Sequence, residues 1–214
     1  MQTASFLAPQ VHAVITRLYE TRRYPADNTE GWRHERRDPH KYKDFGYPIS
    51  LDQGKFMYLL CRAMRATRVV EFATSFGMST LHFAAAVRDN GGGIVIGSEL
   101  VPEKVAVARR NLAEAGLADL VDIRQGDARE TLRNLGGPVD FALIDGWPQG
   151  EPSLARAVFE TVAPQLRVGG MAMNDNGEED YLAFVRNPAN GFVSMSLPIS
   201  SPTKGPTELT VKIF

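Results

Sequence analysis

Apolar residues recur along this chain with two different periods, and the change of period divides it. In APQVHAVITRLYE, residues 8–20, Val11, Val14, Ile15 and Leu18 fall three or four positions apart, as on one face of a helix. The stretch TRRYPADNTEGWRHERRDPHKYKDFGYP that follows has neither a two-residue nor a 3.6-residue period, and it reads as a solvated connection or a lid. A second helix comes next, opened by Ser50 as N-cap and carried by Phe56, Leu59, Leu60 and Met64. From residue 68 onward short β-branched runs alternate with helical ones. RVVEFA, GIVIGSEL, LVDIRQGD, VDFALID and GGMAMND read as strands. Between them MSTLHFAAAV, PEKVAVARRNLAEAG, ARETLRNL and EPSLARAVFETVAPQL read as helices. Pro102 opens the second of these and Gly116 closes it; Leu154, Val158, Val162 and Leu166 form one stripe on the last. Such alternation implies right-handed βαβ units and a parallel sheet with helices on both faces. The tail breaks the rule. GFVSMSLPI and TELTVKIF are joined by SSPTKGP, too short for a crossover helix, which predicts an antiparallel hairpin at one sheet edge.

A length of 214 residues with 43% hydrophobic content suits one globular domain with a sizeable core. The net charge of -1 and the pI near 6.4 argue against a polyanionic partner, although Arg22, Arg23, Arg33, Arg36 and Arg37 could form a local patch. The single cysteine, Cys61 in MYLLCRAM, reads as a small buried hydrophobe in a reducing compartment. No apolar run reaches membrane-spanning length and the N-terminus lacks a signal-peptide pattern, so a cytoplasmic protein with no membrane partner is expected.

In an open sheet of this kind ligands lie outside the carboxyl ends of the strands. The first tip, EFATSFGMST, holds only Gly77 where a dinucleotide fingerprint would need three glycines. Ala73 and Gly77 still leave a turn with little bulk, suited to a nucleoside and a carboxylate. The helix starting near Ser79 would offer free N–H groups to that carboxylate. Glu99 ends the second strand, about twenty residues on, where an acid can accept both ribose hydroxyls. At the third tip Asp127 could accept from an adenine amino group, and Ala128 leaves room for the ring. Each acid alone also reads as a helix cap or a solvated residue; taken together, tips one to three outline an adenosine-shaped groove. The last two tips, Asp145-Gly-Trp-Pro and Asn174-Asp-Asn-Gly, each read alone as a turn.

ISLDQGKFMYLLCRAMRATRVVEFATSFGMSTL, IGSELVPEKVAVARRNLAEAGL, DIRQGDARETL, VDFALIDGWPQ and LRVGGMAMNDN carry a family likeness. From about residue 48 to the C-terminus the chain resembles the class I S-adenosylmethionine-dependent methyltransferases, within them the cation-dependent catechol/caffeoyl-CoA O-methyltransferase group. The resemblance implies a Rossmann-like α/β fold, with a seven-stranded, mostly parallel sheet of order 3-2-1-4-5-7-6 and strand 7 antiparallel. Residues 1–47 would form an N-terminal helix and lid, and residues 48–214 the methyltransferase domain, within one globular unit. It implies that Glu71, Ala73, Ser75 and Gly77 surround the methionine part of the cofactor and that Ser79 holds its carboxylate. Glu99 would bind the ribose, and Asp127 with Ala128 the adenine. Asp145, Asp175 and Asn176 match the ligands of a divalent cation, Mg²⁺ foremost, and Asp145 also borders the cofactor. Trp147 matches an aromatic that flanks a planar acceptor.

Elementary geometry agrees with the metal match. Neighbouring strands lie about 4.8 Å apart, so Asp145 and Asp175 can approach one point, and two carboxylates with an amide oxygen are hard ligands. Asp175 and Asn176 can share an ion only if the strand ends between them. The chain also departs from the family. Ala73 and Ser75 stand where glycines or small residues are usual, Pro148 occupies the position of a lysine, and SLPISSP lacks an acidic residue. Substitute bases are His34, His40 and Lys204, whereas His12 and His82 sit in helical runs. The expected function is methyl transfer from S-adenosylmethionine to a hydroxyl of a small phenolic acceptor held by the cation. The resemblance also implies a homodimer. Two other readings stay open: a metal-independent methyltransferase acting on another small molecule or a tRNA base, and a binding module without catalysis.

Overall fold

Along each central strand, successive side chains enter two different cores. In a computed structural model of the chain, which describes residues 6–25, 38–147, 149–199 and 207–214, one sheet contains every strand. These are β1 (Arg68–Phe72), β2 (Ile94–Glu99), β3 (Val121–Gln125), β4 (Val139–Ile144), β5 (Leu166–Asn174), β6 (Phe192–Leu197) and β7 (Thr207–Lys212). Their order is β3-β2-β1-β4-β5-β7-β6, and only β7 runs antiparallel to its neighbours. Val69, Val95, Phe141, Leu143 and Met173 point to one face, where they meet α1 (Pro9–Glu20), α2 (Leu51–Ala63), α3 (Met78–Asp89) and α4 (Pro102–Glu114). Val70, Ile96, Ala142, Ile144 and Ala172 point to the other, under α5 (Ala128–Thr131), α6 (Leu154–Val162) and α7 (Glu179–Val185). The two-residue period of the strands thus produces both layers. The predicted fold, sheet order and edge hairpin are all present. No helix among the described residues is long and apolar enough to cross a membrane.

Three elements differ from the sequence-based expectation. The helix over ARETLRNL stops after one turn, because side chains from elsewhere take its carbonyls. Arg124 Nη1 donates to Thr131 O and Asn134 O at 2.8 and 2.7 Å, and Gln165 Nε2 donates to Leu132 O at 3.1 Å. The helix over EPSLARAVFETVAPQL is also shorter. Ser153 caps its start by accepting from Arg156 N, and at its other end Pro164 lacks the N–H that another turn needs, so Leu166 begins β5. The third, α7, has no counterpart in the predicted elements; Glu179 and Asp180 stand in its first turn, where acids favour a helix N-terminus.

Helix α2 begins with a reciprocal cap. Gln53 N donates to Ser50 Oγ at 3.1 Å, and Ser50 N donates to Gln53 Oε1 at 2.8 Å. One residue on, a Cβ at Gly54 would lie 2.4 Å from His82 Cε1, so only glycine lets α2 pass this close to α3. Cys61 is fully buried and its burial pushes the thiol pKa up, as an inert core residue requires.

His82 is also a core residue, 2% exposed, with Nδ1 2.9 Å from Met78 O. Burial lowers its pKa from 6.5 to about 4, against the pull of the Met78 carbonyl. The fold therefore favours the neutral ring, and its contribution is complete above pH 6.5 and lost as pH falls toward 4. At about 1.4 kcal/mol per unit, the predicted loss over that interval is about 3 kcal/mol. Urea titrations across this range should show that component in the parent chain and not in His82→Leu. Identical pH profiles for the two proteins would contradict it.

Candidate active site

The turn after β1 alternates between ordinary and left-handed backbone. Ala73, Ser75 and Gly77 have φ of 69, 52 and 87°, so two non-glycine residues sit where L side chains are strained. Ala73 N and Thr74 N both donate to Ser98 O, at 3.0 and 3.1 Å, which ties this turn to the end of β2. Beneath it Glu71 is fully buried and accepts from Ser79 Oγ at 2.7 Å and from Thr80 Oγ1. Burial raises the Glu71 pKa, the two hydroxyls oppose the rise, and the charge of Glu99 adds to it. A Cβ at Gly97, paired with Glu71 across the ladder, would fall 2.2 Å from Thr74 Oγ1, so the glycine makes room for the turn. Gly77 caps α3 with no side-chain acceptor, which leaves the first backbone N–H groups of a twelve-residue helix facing the turn. Ser79, expected to hold a carboxylate, here spends its proton on Glu71.

Glu99, 7% exposed, is fixed by two backbone donors: Ser75 N to Oε2 at 2.8 Å and Val101 N to Oε1 at 2.9 Å. A carboxylate offers about four acceptor positions, so this anchoring leaves capacity for a diol. Lys104 lies behind it, 4% exposed, with its ammonium 5.4 Å from the Tyr47 ring centre. Burial lowers the Lys104 pKa and the charge of Glu99 resists that. At the third tip Asp127 acts as the cap of α5, accepting from Arg129 N at 2.9 Å, and the Arg129 guanidinium grips both its oxygens. The hydrogen bond from Arg129 holds the Asp127 pKa down. An adenine amino group reaching Asp127 would share it with that guanidinium, while buried Ala128 adds no bulk beside it.

The fourth and fifth tips stand side by side. The β4–β5 register ends on Ile144 opposite Asn174, so Asp145 and Asp175 are the next residues on adjacent, parallel strands. Two carboxamides tie the tips together: Asn174 Nδ2 donates to Ile144 O at 3.1 Å and Asn176 Nδ2 to Gly146 O at 2.5 Å. Because β5 ends at Asn174, Asp175 and Asn176 no longer obey strand alternation. Asp175 is fully buried; its Oδ1 accepts from Gln53 Nε2 at 2.5 Å and Thr207 Oγ1 at 2.7 Å. Asp145 is half-buried. A Cβ at Gly146 would meet Phe72 Cε1 at 1.9 Å, so the fourth tip can fold over β1 only with glycine there.

Residues 38–47 lie across the first and fourth tips as a strap. Ser75 Oγ donates to Gly46 O at 2.5 Å, Lys43 pairs with Glu103 at 3.5 Å, and Trp147 packs on Tyr42 and Tyr47 with ring centres 5.0 and 6.0 Å away. Of the suggested bases, His40 is exposed, while His34 and Lys204 lie outside the described residues, as do Pro148, Arg33, Arg36 and Arg37. Of the acceptor-pocket walls expected from residues 21–47 and 200–206, the parts at 26–37 and 200–206 lie outside them too. His12 is exposed on α1. Gln53, Thr207, Tyr42 and Tyr47 were not anticipated. The Ser50-x-x-Gln53 spacing marks a capping box, yet nothing in it announces that the amide also reaches a residue 122 positions away.

The donors at tips four and five are two carboxylates and a carboxamide, hard oxygen and amide groups that fit a small divalent cation keeping several waters. Among the described residues no group of three or more His, Cys, Asp and Glu side chains is placed to hold a metal ion.

Comparisons with known proteins bear on the same region. A family model described as a methyltransferase domain matches residues 70–177, which spans all five tips. The catechol O-methyltransferase of Mycobacterium tuberculosis is 36% identical over 143 residues, 63% of this chain and 64% of that protein. The catechol O-methyltransferase of Niastella koreensis is 39% identical over 142 residues, 61% of this chain and 63% of its own length. The chain thus spans just under two thirds of the length of these two curated relatives. Among solved structures, cofactor-bound Rv0187 from MTB superposes with a TM-score of 0.68 at 26% identity, covering 82% of this chain and 90% of that one.

The strained turn gives a paired prediction. Left-handed backbone costs a non-glycine residue roughly 1–2 kcal/mol, and glycine recovers it at an entropic cost of about 0.5–1. Ala73→Gly should therefore stabilise the fold by about 0.5–1 kcal/mol in urea unfolding. Ser75→Gly should gain less, because it also forfeits the bond to Gly46 O. Destabilisation by Ala73→Gly would contradict the assigned backbone.

Proposed function

The chain belongs to the methyltransferase-domain family, and from that membership we propose that it transfers the methyl group of S-adenosylmethionine to a hydroxyl of a small phenolic molecule, with Mg²⁺ or a similar cation at tips four and five. The observation that carries this reading is the joining of those tips, with Asp145 and Asp175 each directly following the last register pair, Ile144 and Asn174, and two amides bridging the strands. The matched region and the named O-methyltransferase relatives support the cofactor and the reaction class.

Each tip takes one task. The turn of Ala73 to Gly77 and the open N-terminus of α3 receive the methionine end of the donor, whose carboxylate is drawn to free N–H groups. Glu99, held by Ser75 N and Val101 N, receives the ribose hydroxyls without having to reorganise. Asp127 and Ala128 border the adenine. Trp147 lies against one face of the acceptor ring, with Tyr42 and Tyr47 of the strap closing the aromatic wall and excluding water. Asp145, Asp175 and Asn176 would hold the cation, which when bound would lower the pKa of an ortho-dihydroxy acceptor and fix its position. In the transfer itself the acceptor oxygen forms a bond to the methyl carbon as the carbon–sulfur bond breaks, and the hydroxyl proton leaves to solvent. Holding the two reactants in line supplies much of the acceleration. The residue after Trp147 is proline, so the chain has no lysine there to take the proton.

The test is turnover with ortho-dihydroxy aromatics, run beside calorimetry of S-adenosylmethionine. EDTA should abolish methyl transfer and Mg²⁺ restore it. Asp175→Ala should lower kcat/KM by roughly 100-fold or more, with cofactor affinity changed by less than about threefold. EDTA-resistant turnover would overturn the cation. Absence of cofactor binding at millimolar concentration would leave only a binding module.

A further inference from the structure

Gln53 is wholly buried at the start of α2, yet its amide makes no contact that the helix alone would need beyond the cap. Its Oε1 accepts from Ser50 N at 2.8 Å, while its Nε2 reaches across to Asp175 Oδ1 at 2.5 Å and passes 3.5 Å from Thr207 Oγ1. Thr207, at the start of β7 and also fully buried, places its hydroxyl 2.7 Å from the same Oδ1, with Ile199 O as the second acceptor sharing its one proton. Two donors, one on a helix and one on an antiparallel strand and only 3.5 Å from each other, thus converge on one oxygen. A carboxylate can turn about its Cβ–Cγ bond; two donors on Oδ1 fix that turn and set the direction of the second oxygen. The donors are themselves rigid. Gly54, next to Gln53, is wedged under the His82 ring, and Thr207 lies within the β6–β7 ladder opposite Leu197.

The chemistry of the pair is selective. At position 53 only an amide of this length offers an acceptor to the Ser50 N–H and a donor to Asp175 at once. A glutamate would set oxygen against oxygen, and an aliphatic residue would strand both partners in the core. We infer that Gln53 and Thr207 are positioning residues for the cation site, aligning Asp175 through hydrogen bonds to Oδ1 without touching the ion or the acceptor. This rests on the cation assignment proposed above. Hydrogen bonds to carboxylates that ligate a metal commonly govern affinity by about 10–100-fold.

The experiment measures cation affinity directly, by Mn²⁺ paramagnetic resonance and Mg²⁺ calorimetry on the full chain saturated with S-adenosylmethionine. Three variants are compared: Gln53→Met, Thr207→Val and, as a control, Ser50→Ala, which weakens the α2 cap and leaves the donor to Asp175. The first two should each raise the cation Kd by about 10-fold or more. Ser50→Ala should lower the melting temperature yet keep the cation Kd within about twofold. Thr207→Ser, which retains the hydroxyl, should recover most of the affinity. Parent-like cation binding in either Gln53→Met or Thr207→Val, with only the melting temperature changed, would reduce these residues to packing and overturn the inference. If Gln53→Met does not fold, Thr207→Val against Thr207→Ser decides alone. A parent chain that binds no cation at all overturns the cation assignment and this inference together; parent binding with unaffected variants overturns the inference alone.

Discussion

The parallel pairing of β4 with β5 governs what this molecule can do, because it ends on Ile144 and Asn174 at the same level of the sheet. Had one strand run two residues further, Asp145 and Asp175 would lie about 7 Å out of step along the strands, too far apart for one small ion. The level ending is enforced locally. Asn174 turns its amide onto the Ile144 carbonyl and takes the Gly177 N–H on its oxygen at 2.8 Å, so one side chain closes β5 and latches it to β4. Gly146 allows the neighbouring tip to bend over Phe72, and Asn176 completes the latch. These contacts are short-range and inexpensive, yet they bring two ordinary turns, one carrying Asp145 and the other Asp175, side by side.

Around that cluster the groove is largely set before any ligand enters. Glu99 is held by two backbone amides, Glu71 by two hydroxyls, and Asp175 by an amide and a hydroxyl. Carboxylates held in this way need little rearrangement to receive partners, which is the condition for electrostatic stabilisation at low reorganisation cost. The strain at Ala73 and Ser75 belongs to the same economy: a tight turn is kept although the residues there disfavour it, because the contacts of Ser98 O and Glu99 over-determine it.

Much of this was legible in the chain. Period-two runs bounded by helical runs specify a parallel α/β sheet because both faces of each strand must be covered, and the short SSPTKGP link permits nothing but a hairpin. Helix lengths were less legible. Whether ARETLRNL continues past one turn depends on Arg124 and Gln165, which reach its carbonyls from β3 and the α6–β5 connection and leave no local mark. The tips were readable as places where acids gather, since Asp and Glu following apolar strands lie at carboxyl ends. Their partners were not. Gln53 looks like a capping residue, Thr207 like any strand threonine, and Tyr42 and Tyr47 like part of an aperiodic loop; their roles come from contacts across the whole chain.

The central claim is that the adjoining ends of β4 and β5 form a seat for a divalent ion beside the donor groove. Crystals grown with S-adenosylmethionine and Mn²⁺ test it most directly, through the anomalous signal of the ion. The account predicts one peak in contact with carboxylate oxygens of both Asp145 and Asp175, with the sulfonium over the turn of Ala73 to Gly77. A cofactor-filled groove with no peak between those two carboxylates, or a peak bound elsewhere, would contradict it.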